Sequence, residues 1–462
     1  MRQSGSRRIA NAAVATITAL ALAVASVAPA AAQGSRIGFI RDAEIEGLLS
    51  DYATPILKAA GVGASAVHIY LVGSTSFNAF VADGRRIFVN SGVLMQADTP
   101  NEVIGVLAHE TGHIAGGHLA RIRDSMRTAQ AIAFLGMMLG AGAMAAGAVS
   151  GDFSTGAQAG QALMLGSQHA ATRSFLSYRR GEEAAADRSA INYLNATGQS
   201  SKGMLTTFAS LADQSFLSAK YADPYAQSHP MPRDRVANLE KLAKESPYFD
   251  KKDPPALQAR HDLARAKLSG YLEHPSSVAR RYPRSDTSLP AQYARAISQM
   301  RTGDYRGALS SVDKLIAANP NYPYFWELKG DILVKSGRPR DSISSYQKAI
   351  SLAPNPGLIQ VGLGIAMISA NDQGILDEGI RQLNAGLQRE PDYAPGYRYL
   401  AIGYGRAGRV PDAELATAQE HFTRGDYEMA HRFAQRAKQG LAAGSPAWLR
   451  ADDILSYKPP KT

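Results

Sequence analysis

The sequence contains no cysteine. That absence excludes disulfides, thiolate metal ligands, a cysteine nucleophile and a lipid-modified cysteine following an apolar leader. Tryptophan occurs only twice. No run of basic residues interleaved with aromatics is present, so nucleic acid is a poor partner. Long uncharged apolar stretches are also scarce. One lies at Ile9–Val27 and another at Ala131–Val149. The second is rich in Gly, Ala and Met and only weakly hydrophobic. It reads as a flexible helical hairpin, either a lid or a membrane-contacting element over residues 131–165.

What is present then sets the organisation. At 462 residues the chain exceeds one compact core. Arg2, Arg7 and Arg8 precede the first apolar stretch, and Ala30-Ala31-Ala32 offers a small-residue cleavage site. This order predicts a signal peptide over 1–32, cleaved near Ala32. Export without disulfides suits a bacterial periplasm. The formal charge of +10 falls to +7 once three leader arginines are removed. That excess favours anionic surfaces only weakly, and peripheral membrane contact stays open.

Asp42–Ala60 has helical spacing in Ile45, Leu48, Leu49, Tyr52, Ile56 and Leu57. Val67–Val72, Phe77–Val81 and Ile87–Asn90 read as strands of a small, largely antiparallel sheet, with Asp83-Gly84 as a turn. A helix is expected from about Pro100 to Met126. Residues 33–248 form the first predicted domain, and 249–289 a connecting helix and proline-punctuated linker. Residues 290–458 repeat with a 34-residue register: Gly330 and Gly364, Pro320 and Pro354. Trp326, Gly330, Tyr346, Ala349 and Pro354 follow the tetratricopeptide pattern of stacked helix pairs, with Ala296, Ala308 and Pro320 one repeat earlier. Ala401 falls 37 residues after Gly364, so one repeat carries a short insertion. Such stacks leave a concave groove.

The chemistry sits in His109-Glu110-Thr111-Gly112-His113. On a helix the two histidines are one turn apart on one face and can share a Zn²⁺ at about 2.0–2.1 Å. Glu110, beside them, can hold and deprotonate a water. A catalytic zinc needs a third protein ligand. His118 lies about 140° around a continuous helix from His113 and reads as a packing or surface residue. A downstream carboxylate is therefore expected. Glu183 and Asp187 share a face at i, i+4, one as ligand and the other orienting a histidine; Glu182 is the rival.

These pieces, with Arg41–Glu46, Asn78-Ala79-Phe80, Arg180–Asp187 and His229-Pro230 with Arg235, carry a family resemblance. The chain resembles the HtpX and CAAX-protease superfamily of zinc metallopeptidases, most closely its periplasmic, repeat-bearing BepA type. The resemblance implies an α+β zincin-like (gluzincin) peptidase domain with a small sheet and an HExxH helix, followed by an all-α tetratricopeptide-repeat solenoid. It selects Glu183 as zinc ligand with His109 and His113, and Asp187 behind them. Glu110 becomes the catalytic base. His229 and Arg235 become either contacts to substrate and developing negative charge or, for His229, a removable fourth ligand. It further implies one Zn²⁺ per chain and a role in quality control or assembly of outer-membrane proteins. The expected partners are misfolded or assembling envelope proteins held by the repeats, and the barrel assembly machinery. Substrate is expected to add as a β-strand beside Ile87–Asn90. The competing expectation is a chaperone-like assembly factor whose groove is the main activity and whose proteolysis is latent.

Overall fold

The computed structural model describes residues 38–459, apart from 83, 151–152, 218–224, 226–227 and 354. The leader expected over 1–32, and with it Asp83 and Pro354 of the turn and repeat patterns, lies outside the described residues.

The first helix, α1 (Ala43–Ala59), begins where Asp42 accepts from the backbone N–H groups of Glu44 and Ile45. Its apolar stripe is buried at each of the six positions expected from the spacing. The sheet has four strands: β1 (Phe39–Ile40), β2 (His68–Val72), β3 (Ala79–Val81) and β4 (Arg86–Asn90). Their order is β1-β2-β4-β3. The sheet is mixed: β1–β2 and β3–β4 pair antiparallel, while β2 and β4 run parallel in a register from His68↔Arg86 to Val72↔Asn90. The chain goes from β2 out to β3 and returns between them. The expected edge strand, Ile87–Asn90, is therefore interior. Ile87 and Val89 are fully buried, and the edge strands are β1 and β3.

After a short helix α2 (Ser91–Gln96), α3 (Pro100–Gly116) carries the histidine pair, with Pro100 in its first turn. The expected continuous helix to Met126 breaks at Gly117, whose φ of 63° is left-handed. A new helix, α4 (His118–Ser150), leaves in another direction and packs antiparallel on the long α5 (Phe153–Ala196). At 1.5 Å per residue α5 is about 66 Å long. Its C-terminal part crosses α3 closely: a Cβ on Gly112 would lie 2.9 Å from the Ala186 carbonyl oxygen. Glycine in the metal motif is thus what lets the Glu183–Asp187 segment reach the histidines. Helices α6 (Lys202–Leu217) and α7 (Arg233–Lys244) complete this part.

Helix α8 (Pro255–Leu272) is shared. Ala264 and Leu268 belong to the core of the preceding α+β part, Leu263 to that of the following helices. A short α9 (Pro275–Arg281) leads to helix pairs α10/α11 (Leu289–Arg301, Tyr305–Ala318), α12/α13 (Pro323–Lys335, Pro339–Leu352), α14/α15 (Gly357–Ser369, Leu376–Arg389), α16/α17 (Ala394–Arg406, Val410–Thr423) and α18/α19 (Tyr427–Gly440, Pro446–Ser456). The 34-residue register has a steric origin. Gly330 admits the Tyr346 ring, which a Cβ would meet at 2.8 Å. The insertion inferred near Ala401 is the 370–375 connection between α14 and α15, which holds a 3₁₀ turn and Asn371 at φ 52°. The matching links at 302–304 and 336–338 have three residues.

The start of α1 lies against the repeats. Arg41 donates to Glu390 at 2.5 Å, Tyr322 and Tyr293 donate to the Glu44 carboxylate at 2.5 and 2.9 Å, and buried Lys267 of α8 pairs with Asp42 at 2.6 Å.

Candidate metal centre

Helix α3 presents His109 and His113 from one face, with their Nε2 atoms 3.0 Å apart. From α5, Glu183 brings its carboxylate to 3.4 Å from His109 Nε2 and 3.7 Å from His113 Nε2. The segment before α7 brings His229, whose Nδ1 lies 3.1 Å from both Glu183 oxygens and 3.4 Å from His109 Nε2. One donor atom from each of these four residues lies within 4.8 Å of the others. Donors bound at about 2.0–2.1 Å in a tetrahedron are about 3.3 Å apart. The measured separations scatter around that edge, so the donor set fits one tetrahedral ion, and nitrogen-plus-carboxylate donors suit zinc.

Other side chains hold these donors. Asp187 Oδ1 lies 3.0 Å from His109 Nδ1, which leaves Nε2 facing the cluster. Arg235 donates to both Asp187 oxygens at 2.7 and 2.8 Å and to the Pro230 carbonyl at 3.0 Å, and its Nη1 lies 2.9 Å from Glu183. All three of its nitrogens are engaged. Burial would raise the Glu183 carboxyl, but His229 and His109 hold it well below the usual carboxylate range. Burial likewise opposes charge on Asp187, and Arg235 outweighs it. Burial disfavours a proton on His109, yet Asp187 and Glu183 hold its pKa up to about 9, while burial and the neighbouring His109 push His113 down.

Glu110 is completely buried beside the cluster, with Oε1 3.6 Å from His229 Nε2. Tyr225 donates to it at 3.3 Å, while Oε2 has no hydrogen-bond partner among the described residues. Burial raises its pKa. A cavity of about 350 Å³ opens beside it. Phe80 and Val81 of edge strand β3, Ile114, the His118–Arg123 start of α4, and Arg179 are among its walls.

All seven residues singled out in the sequence, His109, Glu110, His113, Glu183, Asp187, His229 and Arg235, meet here. Sequence reasoning missed three features. His118, expected to pack or to lie at the surface, is buried and turned toward His113. Its Nδ1 lies 2.9 Å from His113 Nδ1 and its Nε2 2.9 Å from Glu182. The signal was Gly116-Gly117, a helix stop that turns His118 back toward His113. Tyr225 stacks on His229 with ring centroids 4.5 Å apart. Arg179 donates to the Ser228 carbonyl and tethers the segment bearing His229. Nothing local in the sequence announces these last two.

Comparison with known proteins agrees with this geometry. The profile of peptidase family M48 matches residues 40–243, and that of the tetratricopeptide repeat matches 293–357. The beta-barrel assembly-enhancing protease of Escherichia coli (strain K12) is 24% identical over 394 residues, covering 83% of this chain and 77% of that protein. Its Yersinia pestis counterpart is 24% identical over 386 residues, covering 81% and 75%. The chain carries a peptidase family M48 domain followed by a C-terminal tetratricopeptide-repeat region, and in that pairing it matches the beta-barrel assembly-enhancing proteases at moderate identity.

Proposed function

We propose that the protein is a zinc-dependent endopeptidase of the periplasm that acts in quality control or assembly of outer-membrane proteins. One observation carries the enzymatic part: four donors from three separate segments, three of them buried and His113 partly exposed, converge at tetrahedral spacing, with a buried carboxylate, Glu110, at their side. His109, His113 and Glu183 are the protein ligands of a catalytic zinc. When bound, zinc polarises a peptide carbonyl and makes water acidic enough to attack it near neutral pH. The chain's own residues supply the rest. An extended substrate pairs with the free edge of β3, above the cavity lined by Phe80 and Val81. Glu110 takes a proton from the attacking water and delivers it to the leaving nitrogen. Its upward-shifted pKa suits both transfers. Arg235 holds Glu183 and Asp187 in place, and Asp187 fixes the orientation of His109.

His229 fills the fourth corner, and a catalytic zinc site requires an open one. This arrangement is therefore a resting form, and activity needs the His229 segment to move away. The same closed corner favours a second reading, in which client binding by the repeats is the main activity and proteolysis is conditional. The match to beta-barrel assembly-enhancing proteases supports envelope assembly as the setting. The first test is zinc content by elemental analysis, wild type beside Glu183→Gln. About one zinc per chain, sharply reduced in the variant, supports the site. A folded wild type without zinc overturns it. A Glu110→Gln variant that fully restores envelope function in cells would make the chaperone-like reading the better one.

A further inference from the structure

Away from the metal centre, the α4/α5 hairpin has an uneven surface. The two helices meet along a seam of small residues. A Cβ on Gly136 would run into Ser167, and one on Gly140 into the Gly160 carbonyl at 2.6 Å. At 100° per residue, Phe134, Leu135 and Met138 lie on the side of α4 opposite that seam. They are 59, 60 and 60% exposed, and Leu139 beside them is 63% exposed. From Ala131 to Ala146 α4 has no polar side chain at all. Only 11% of its most apolar window is buried. The exposed surface of α5 differs: Gln158, Gln161, Gln168 and His169 are interspersed with Leu163 and Leu165.

Arginine side chains gather at the base of the hairpin. Apart from Asp152 and His169, residues 128–172 carry no ionisable side chain. At the base stand Arg121, Arg123, Arg127 and Arg173, with Asp124 beside Arg127 and Glu182 paired with Arg121. Arg123 and Arg173 are exposed.

We propose that α4 docks on the surface of an anionic phospholipid bilayer, its Phe134–Met138 face among the acyl-chain ends and α5 toward water. Residues 128–150 give the docked helix a length of about 34 Å. The apolar face offers no hydrogen-bonding group to a polypeptide, and acyl chains require none. The glutamines and His169 of α5 oppose a spanning arrangement, because they would be stranded in hydrocarbon. The arginines at the base match the negative headgroup layer. The inference is independent of the metal chemistry. It places the cavity beside Glu110 near the bilayer, because the first turns of α4 line that cavity.

The absence of native cysteine provides the test. Met138→Cys and, separately, Gln158→Cys in the full chain each take one environment-sensitive fluorophore. Both positions are exposed, so neither label displaces packed side chains. Vesicles containing phosphatidylglycerol should shift the label at 138 to the blue and leave that at 158 unchanged. Phosphatidylcholine alone should do so far less. Adding Phe134→Ser, Leu135→Ser and Leu139→Ser to the Met138→Cys chain should weaken the response at least about tenfold. An unshifted label at 138 overturns the proposal, as does a response to unfolded polypeptide but not to vesicles. Equal shifts at 138 and 158 overturn the orientation in favour of insertion. Equal shifts with the two lipid compositions overturn the role of the arginines.

Discussion

Two buried clusters of ionisable side chains among the described residues are completed differently. At the metal centre, imidazole nitrogens face one another at 3.0 Å and a carboxylate stands 3.1–3.7 Å from them. The nearest protein cation, Arg235, is occupied with Asp187, Glu183 and the Pro230 carbonyl. Where α1 meets the repeats, the cation is built in. Lys267 lies 2.6 Å from Asp42, 3.2 Å from Glu44 and 3.6 Å from Glu327, while Tyr293, Tyr322 and Tyr346 donate to Glu44 and Asp331. The first cluster invites an external cation. The second is a self-contained joint between the peptidase domain and its repeats. Burial of acids and bases therefore identifies a reactive centre only when the lone pairs converge on a point that no protein cation serves.

Substitutions can break that contrast. The largest effect is expected from Glu110→Gln, which should lower peptide cleavage about 10²–10⁴-fold, followed by single-turnover assays, with zinc content unchanged. Lys267→Met should destabilise the fold by about 3–5 kcal/mol in urea unfolding, because it leaves buried carboxylates without their cation, while the zinc bound per folded chain stays the same. Equal zinc loss in that variant would show that the two clusters are not separable. Asp187→Asn should weaken zinc about 10–100-fold in chelator competition, and it should also lower stability, because buried Arg235 loses one of its two carboxylate partners. Gly117→Ala should cost about 1–2 kcal/mol, since a side chain must adopt a left-handed backbone there.

The smallest effect is a pH slope. Burial pushes Glu327 up to about 8 despite Lys267 nearby. Its pKa is thus higher folded than unfolded, so its contribution to stability is full below the ordinary glutamate range and is lost as pH rises through about 8. Thermal midpoints should fall between pH 6 and 8.5 in the wild type, and Glu327→Gln should flatten that slope. The metal cluster should give no such difference between these two proteins.

Much of the site was legible because its signals are local or nearly so. His109 and His113 at i, i+4 fix a shared face, and Glu183 with Asp187 repeats that logic on a second helix. Spacing alone left Glu182 as a rival to Glu183. The fold separates them by turning Glu182 toward His118 and Arg121. Tyr225 was not legible, because its closeness to Glu110 depends on the path of a segment 115 residues away. The sheet shows the same limit. Strand segments follow from β-branched and aromatic runs, but their order does not. A short apolar run such as Ile87–Asn90 looks the same whether its edge is free or paired.

By itself the sequence determined the helical-repeat register, the apolar stripe of α1 and the pairing of histidines on α3, since each depends on periodicity within one segment. The tertiary structure alone decided that β3 rather than β4 has the open edge, that His118 turns back to His113, that His229 closes the donor set, and that Lys267 is the buried cation of the inter-domain joint. Those outcomes depend on chain reversals and close approaches between distant segments, where a single left-handed glycine or a missing Cβ redirects a helix and no periodic pattern records the result.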